Sequence, residues 1–198
     1  MKNRKEEIIR ATLELAAENG LGTVSMQQIA DRVGITKASL YNHFSSREAI
    51  VEEMYEVLRN ASKARNTTGG DLTAMIGDHT LKEILTGAIF SYKKMVEDPE
   101  MFLFYKIIMS ERSINSAAAD ILVKETQTMI NATKSIFYAL QVKDIADFKD
   151  VDAAAFSFTM AVHAMIEYEM DLKFSGCEPN GRLLEGYIEE FCRLYAKK

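Results

Sequence analysis

Residues Ser25 to Arg47 read SMQQIADRVGITKASLYNHFSSR, a set of side chains suited to hydrogen-bonded recognition rather than to making or breaking bonds. A lysine such as Lys37 can donate to the acceptors on guanine, and an asparagine such as Asn42 can pair twice with adenine. Small neighbours such as Ala38 and Ser39 let a backbone approach base edges. Ser25, Thr36, Tyr41 and Arg47 are donors that suit phosphate oxygens, helped by the positive ends of short helices. From Lys37 to His43 no carboxylate opposes an anionic partner.

Such a set works only if short helices hold it. Ser25 is an N-cap for a helix reaching Val33, with Gln28 at capping-box spacing. Gly34 ends that helix, Thr36 caps the next, and Lys37–His43 make barely two turns. Ile29, Val33, Ile35 and Leu40 supply an apolar wedge, and Ala30 and Gly34 are the small residues where the second helix crosses the first. A helix this short is unstable alone, so it packs on one face and leaves Lys37, Ala38, Ser39, Tyr41, Asn42 and His43 outward. The pattern predicts a helix-turn-helix reading the major groove. Ahead of it, Lys2–Asn19 carries Ile8, Ile9, Thr12, Leu13, Leu15 and Ala16 on one side, and Gly20 caps its end. Behind it, Ser45 or Ser46 opens a helix to about Arg59, and the polar stretch Asn60–Asp71 reads as a loop between two lobes.

The rest of the chain is helical in period. Thr80 with Glu83 opens a helix to Glu97, and Asp98–Pro99 stops it and starts another. Further helices fit Ile114–Leu140, Val151–Phe174 and Pro179–Ala196. Two prolines and ten glycines in 198 residues leave too few turns for a sandwich or barrel, so the expected fold is all-α with about nine helices. The net charge of -5 would by itself argue against nucleic acid, but it averages unlike parts. Residues 1–47 carry seven Lys/Arg against five Asp/Glu, and 48–198 carry seventeen against twenty-four. The carboxylates of the second lobe read as solvated polar faces. No apolar leader opens the chain, and Cys177 and Cys192 read as reduced thiols, so a cytoplasmic protein is expected.

Ile29–Glu48 (IADRVGITKASLYNHFSSRE) resembles the DNA-binding signature of the TetR/AcrR family of bacterial transcriptional regulators. Ile8, Ala11, Leu15 and Gly20 extend the resemblance to about residues 5–58, while Ala16 and Val24 depart from the family's usual aromatic and threonine. The resemblance implies phosphate contacts from Ser25, Thr36, Tyr41, His43 and Arg47, and base contacts from Gln27, Lys37, Ala38, Ser39 and Asn42. Lys2, Arg4 and Lys5 are either a further phosphate contact or an ordinary solvated turn. It also implies an N-terminal DNA-binding domain (1–47, linking helix 46–63) joined to a ligand-binding and dimerisation domain (64–198).

The helix 151–174 is apolar on two faces, so it must be covered twice. Ala154, Phe158, Ala161, Met165, Tyr168 and Leu172 form one face; Phe156, Met160, His163 and Met170 form the other. The first face, with Leu184, Ile188, Phe191 and Tyr195 of the final helix, is the candidate homodimer seam, with the choice between the two faces left open and a monomer core as the alternative. A dimer would set two reading heads on a pseudo-palindromic operator. Tyr92, Met95, Phe104, Tyr105, Ile108, Met129, Met160 and His163 are either plain core or, as the resemblance implies, the lining of a pocket for a small apolar or amphipathic effector. No motif for catalysis, metal or cofactor binding is present; no cofactor and no membrane partner are expected. The competing reading is a helical adaptor or small-molecule binder that does not touch DNA.

Overall fold

The computed structural model describes residues 4–66, 76–77, 79–179 and 181–197. Nine α-helices lie among them: α1 (Arg4–Asn19), α2 (Met26–Val33), α3 (Lys37–Tyr41), α4 (Arg47–Asn66), α5 (Leu81–Val96), α6 (Pro99–Glu111), α7 (Ser116–Val142), α8 (Val151–Phe174) and α9 (Arg182–Tyr195). A short 3-10 turn, Leu21–Thr23, follows α1. The chain is all-α, as expected. The β pairing among the described residues is a single antiparallel bridge, Ala146 to Ala196.

Packing divides the chain into two compact units, residues 1–67 with 95–125, and residues 68–94 with 126–198. The units do not follow a single cut after residue 63, because α6 and the start of α7 pack with the N-terminal helices. In the first unit α1 lies against α2, α4 and α6. Its Ile8, Ile9, Ala11, Leu13, Leu15 and Ala16 are buried, and Thr12 is buried with its hydroxyl donating to the Ile8 carbonyl at 2.8 Å. Ala16 and Val24 both lie in this core, so the two departures from the family pattern fall on packing positions. Arg10 pairs with Glu100 of α6, and the buried carboxylate of Glu111, at the other end of α6, accepts the Gly22 amide at 3.1 Å.

Polarity misleads once about where a helix ends. Asn60–Asp71 was expected to be a loop, yet residues 60–66 continue α4, and 67–71 lie outside the described residues. Ala61, Lys63, Ala64 and Arg65 favour helix, and no Gly or Pro occurs in the stretch before Gly69; a polar run without a breaker gives the backbone no reason to leave the helix.

The second unit is built on aromatic packing. Phe137, Phe148, Phe158 and Phe191 are buried together with Leu81, Leu85, Ala154, Ile166, Leu184 and Ile188. Phe137 stacks on Phe148 with ring centres 4.5 Å apart, and Phe191 meets both Phe158 and Tyr195 at 4.6 Å. Each such buried ring contributes roughly 1.5–3 kcal/mol. The aromatic excess of the C-terminal part therefore goes first into core. No helix among the described residues is long and apolar enough to cross a membrane.

Candidate nucleic-acid interface

Both predicted caps form. The Ser25 hydroxyl accepts the Gln28 amide at 3.3 Å, and the Gln28 side chain takes the Ser25 N–H at 2.8 Å, closing the capping box. Thr36 caps α3 by accepting the Ser39 amide at 3.1 Å. Between the helices Gly34 adopts φ 75°, a left-handed conformation that penalises any Cβ. A Cβ there would meet nothing within 4 Å, so Gly34 is needed for the turn and not, as expected from its spacing, for a close helix crossing. Ala30, fully buried, sits at the packed position, and Leu40 anchors α3 with no exposure.

That anchoring turns a polar, cationic face outward. Lys37, Ala38 and Asn42 are exposed, Ser39 and His43 half-buried, and Tyr41 is 48% exposed. On α2, Gln27 is exposed with its amide donating to Asp31 at 2.8 Å. Thus Gln27, Lys37, Ala38, Ser39, Tyr41, Asn42 and His43 lie within one short helix-turn-helix, with the caps Ser25 and Thr36 at its two helix starts. α3 ends at Tyr41, with Asn42 as its C-cap.

Arg47 departs from the expected phosphate role. Its Nη1 donates to the carbonyls of Leu21, Gly22 and Val24, each at 3.1 Å, and its Nη2 pairs with Glu48 at 3.2 Å. The guanidinium is spent fastening the turn after α1 to the start of α4. On the N-terminal cluster, Arg4 pairs with Glu7 and Lys5 lies near Glu53 and over the Phe44 ring; Lys2 is outside the described residues.

Comparison with known proteins reads the same segment. Residues 8–54 match the family model described as bacterial regulatory proteins, tetR family. Residues 8–54 are thus similar to the DNA-binding segment of TetR-family regulators. The HTH-type transcriptional repressor KstR2 of Mycolicibacterium smegmatis is 38% identical over 52 residues, 26% of this chain and 25% of that protein. The matched stretch is thus about a quarter of the curated relative's length. In fold the likeness runs the whole length. The flavonoid-responsive regulator FrrA superposes with TM-score 0.74 at 22% identity, covering 98% of each chain. The SmeT–triclosan complex does so with TM-score 0.72 at 14% identity, covering 98% of this chain and 92% of that one. At those identities the likeness shows a shared fold.

The expected dimer seam is largely interior. Ala154, Phe158, Leu184, Ile188 and Phe191 are buried in the chain's own core, and Met165 and Tyr195 pack against it; Ala161 and Leu172 are half-buried, and only Tyr168 is exposed. The larger rings lie on the side toward α9 because Tyr187 and Phe191 fill the space beside Phe158. The open side of α8 carries Phe156, Met160 and Tyr168, and α9 exposes Leu183 and Leu194. An open groove of about 810 Å³ runs between Ala153 and Ser157 of α8 and Leu194 and Tyr195 of α9.

The expected pocket residues are divided between the two units. Met95, Phe104, Tyr105 and Ile108 belong to the first unit, and Tyr92, Met129, Met160 and His163 to the second. Phe104 and Ile108 have no exposure. Met160 stands on the open side of α8, and His163 pairs with Glu167 at 3.4 Å.

A buried polar cluster departs from the expectation that the carboxylates lie on solvated faces. Glu125 of α7, 1% exposed, accepts the Tyr55 hydroxyl at 2.5 Å and the Arg59 Nε at 2.6 Å, both from α4. Burial, then Glu125, pushes the Tyr55 hydroxyl well above its usual range, so it stays protonated and donates. Removing one partner of such a buried pair typically costs about 3–5 kcal/mol, because the other charge is left uncompensated. The signal was in the spacing: Ala118, Ile121, Glu125 and Met129 fall three and four apart, placing a carboxylate on an apolar stripe.

Proposed function

We propose that this protein is a cytoplasmic transcriptional regulator, acting as a repressor, that binds a pseudo-palindromic DNA operator as a homodimer and is released by a small molecule. The observation that carries the reading is the capped α2–turn–α3 unit. Its outward residues Lys37, Ala38 and Asn42 are exposed, without a carboxylate among them. Gln27 and Ser39 flank that face for base edges; Ser25, Thr36, Tyr41 and His43 flank it for phosphates. Arg47 is left out, since its guanidinium serves the fold.

The dimer seam is reassigned to the open side of α8 and the adjoining edge of α9. Phe156, Met160, Tyr168, Leu183 and Leu194 are apolar side chains that the chain's own core leaves exposed. Gly186, inside α9, has nothing near a built Cβ. A helix-interior glycine that the chain itself does not use costs stability, and close approach of a partner helix gives it a use. Two chains joined there would pair two α3 helices, the arrangement that reads a palindrome. A small-molecule effector is carried over from the fold relatives, one named flavonoid-responsive and one solved with triclosan.

A gel-shift titration on the DNA upstream of the protein's own coding region, across salt concentrations, tests the central reading. Binding that weakens steeply between about 50 and 200 mM salt is expected of a protein holding several phosphates. No shift even at the lowest salt would sink it and favour the helical adaptor.

A further inference from the structure

We propose that Glu125 is the polar anchor of a ligand site in the first unit, and that its ligand is a neutral aromatic alcohol. The inference rests on the reading that a small molecule regulates this protein, and it names the chemistry of that molecule. Tyr55 and Arg59 both donate to Glu125 Oε2, at 2.5 and 2.6 Å. Oε1 is equally buried, and no described residue donates to it. A carboxylate offers about four acceptor directions, and a buried acceptor without a donor is rare because it has surrendered its water for nothing. The missing partner is a donor that arrives from outside the chain.

Charge decides what kind of donor. Arg59 is 15% exposed and Glu125 2% in their side chains, so the pair is already neutral in a desolvated place. An ammonium ion would add a charge with no counter-charge, and a second carboxylate would add repulsion; a neutral hydroxyl adds a hydrogen bond and nothing else. The surroundings favour a flat apolar body. The Tyr55 ring stacks on Phe104 at 6.2 Å, Phe104 meets Tyr105 at 6.2 Å, and Met101, Ile108 and Ile121 are buried in the same unit.

The anchor also touches the helix that carries the reading head. Tyr55 and Arg59 lie on α4, whose first residue, Arg47, fastens the turn after α1. A hydroxyl bound to Glu125 redistributes the hydrogen bonds that hold α4 to α7, so the ligand has a route to different affinities in two arrangements of α4.

The test is calorimetric titration of the full-length protein, without DNA, using 4-phenylphenol, its methyl ether and 4-phenylbenzylamine. The phenol should bind at least about tenfold more tightly than the ether, which has the same body and no donor, and more tightly than the amine. Glu125→Gln should erase the phenol's advantage, because the amide oxygen goes to Tyr55 and Arg59 and leaves an N–H group facing the ligand. Should that variant fail to fold, the three-compound ranking on the unmutated protein still decides. Equal affinity for phenol and ether, preference for the amine, absence of binding, or an advantage that survives Glu125→Gln would each overturn the proposal. A gel shift of the ligand-free protein in the same preparation tests the regulator reading separately.

Discussion

Arg47 and Lys37 show how two cations in one motif divide their work. Arg47 gives three hydrogen bonds to backbone carbonyls, whereas Lys37 is exposed at the start of α3. Arg47→Ala should therefore lower stability by about 1–3 kcal/mol, the cost of leaving carbonyl acceptors unmet, read as a shift in the denaturant midpoint at unchanged slope. Lys37→Ala and Asn42→Ala should leave that midpoint within about 0.5 kcal/mol and relax sequence preference in the gel shift instead. If Arg47→Ala melted like the parent while losing DNA, the phosphate role would return to it. Sequence spacing alone could not separate the two cations. A motif fixes which residue types occur together; whether a guanidinium meets a carbonyl depends on where the chain around residues 21–24 has folded.

Among the helices, capping was legible and burial was not. Ser25–Gln28, Thr36, Thr80–Glu83 and Asp98–Pro99 all act as the spacing predicts, because a cap is satisfied within four residues and needs no tertiary partner. Gly34 is the sharpest local requirement. Gly34→Ala places a Cβ at φ 75°, and the strain of a left-handed alanine is about 1–2 kcal/mol. Thermal unfolding should report that loss. A melting temperature equal to the parent's would mean that the turn rearranges, and DNA binding should then fall for want of a positioned α3. By contrast, the burial of Glu125 and Glu111 needed a neighbouring helix to reveal it. Amphipathic period says that a residue lies on the apolar side, not that a carboxylate there will find Arg59 or the Gly22 amide.

For the molecule as a whole, the question of which face of α8 meets another chain is one of leftover surface. Both faces are apolar in sequence, and the aromatic core consumes the one toward α9. Leu194→Glu on the remaining face should shift light scattering from dimer to monomer at micromolar concentration and reduce affinity for a palindromic site while sparing a half-site. Gly186→Ala should stabilise the single chain by about 0.5–1 kcal/mol yet weaken association. Dimers of undiminished affinity in both variants would move the seam elsewhere.

Sequence by itself determined the all-helical class, the family of residues 8–54 and the identity of the outward α3 face, since each rests on local periodicity, capping and short-range packing. Tertiary structure decided that α6 packs with the N-terminal helices, that Arg47 serves the fold, that Glu125 is buried with one oxygen unmet, and which side of α8 stays open. These depend on contacts between residues tens of positions apart, and no periodic pattern within one helix says which other helix will cover it.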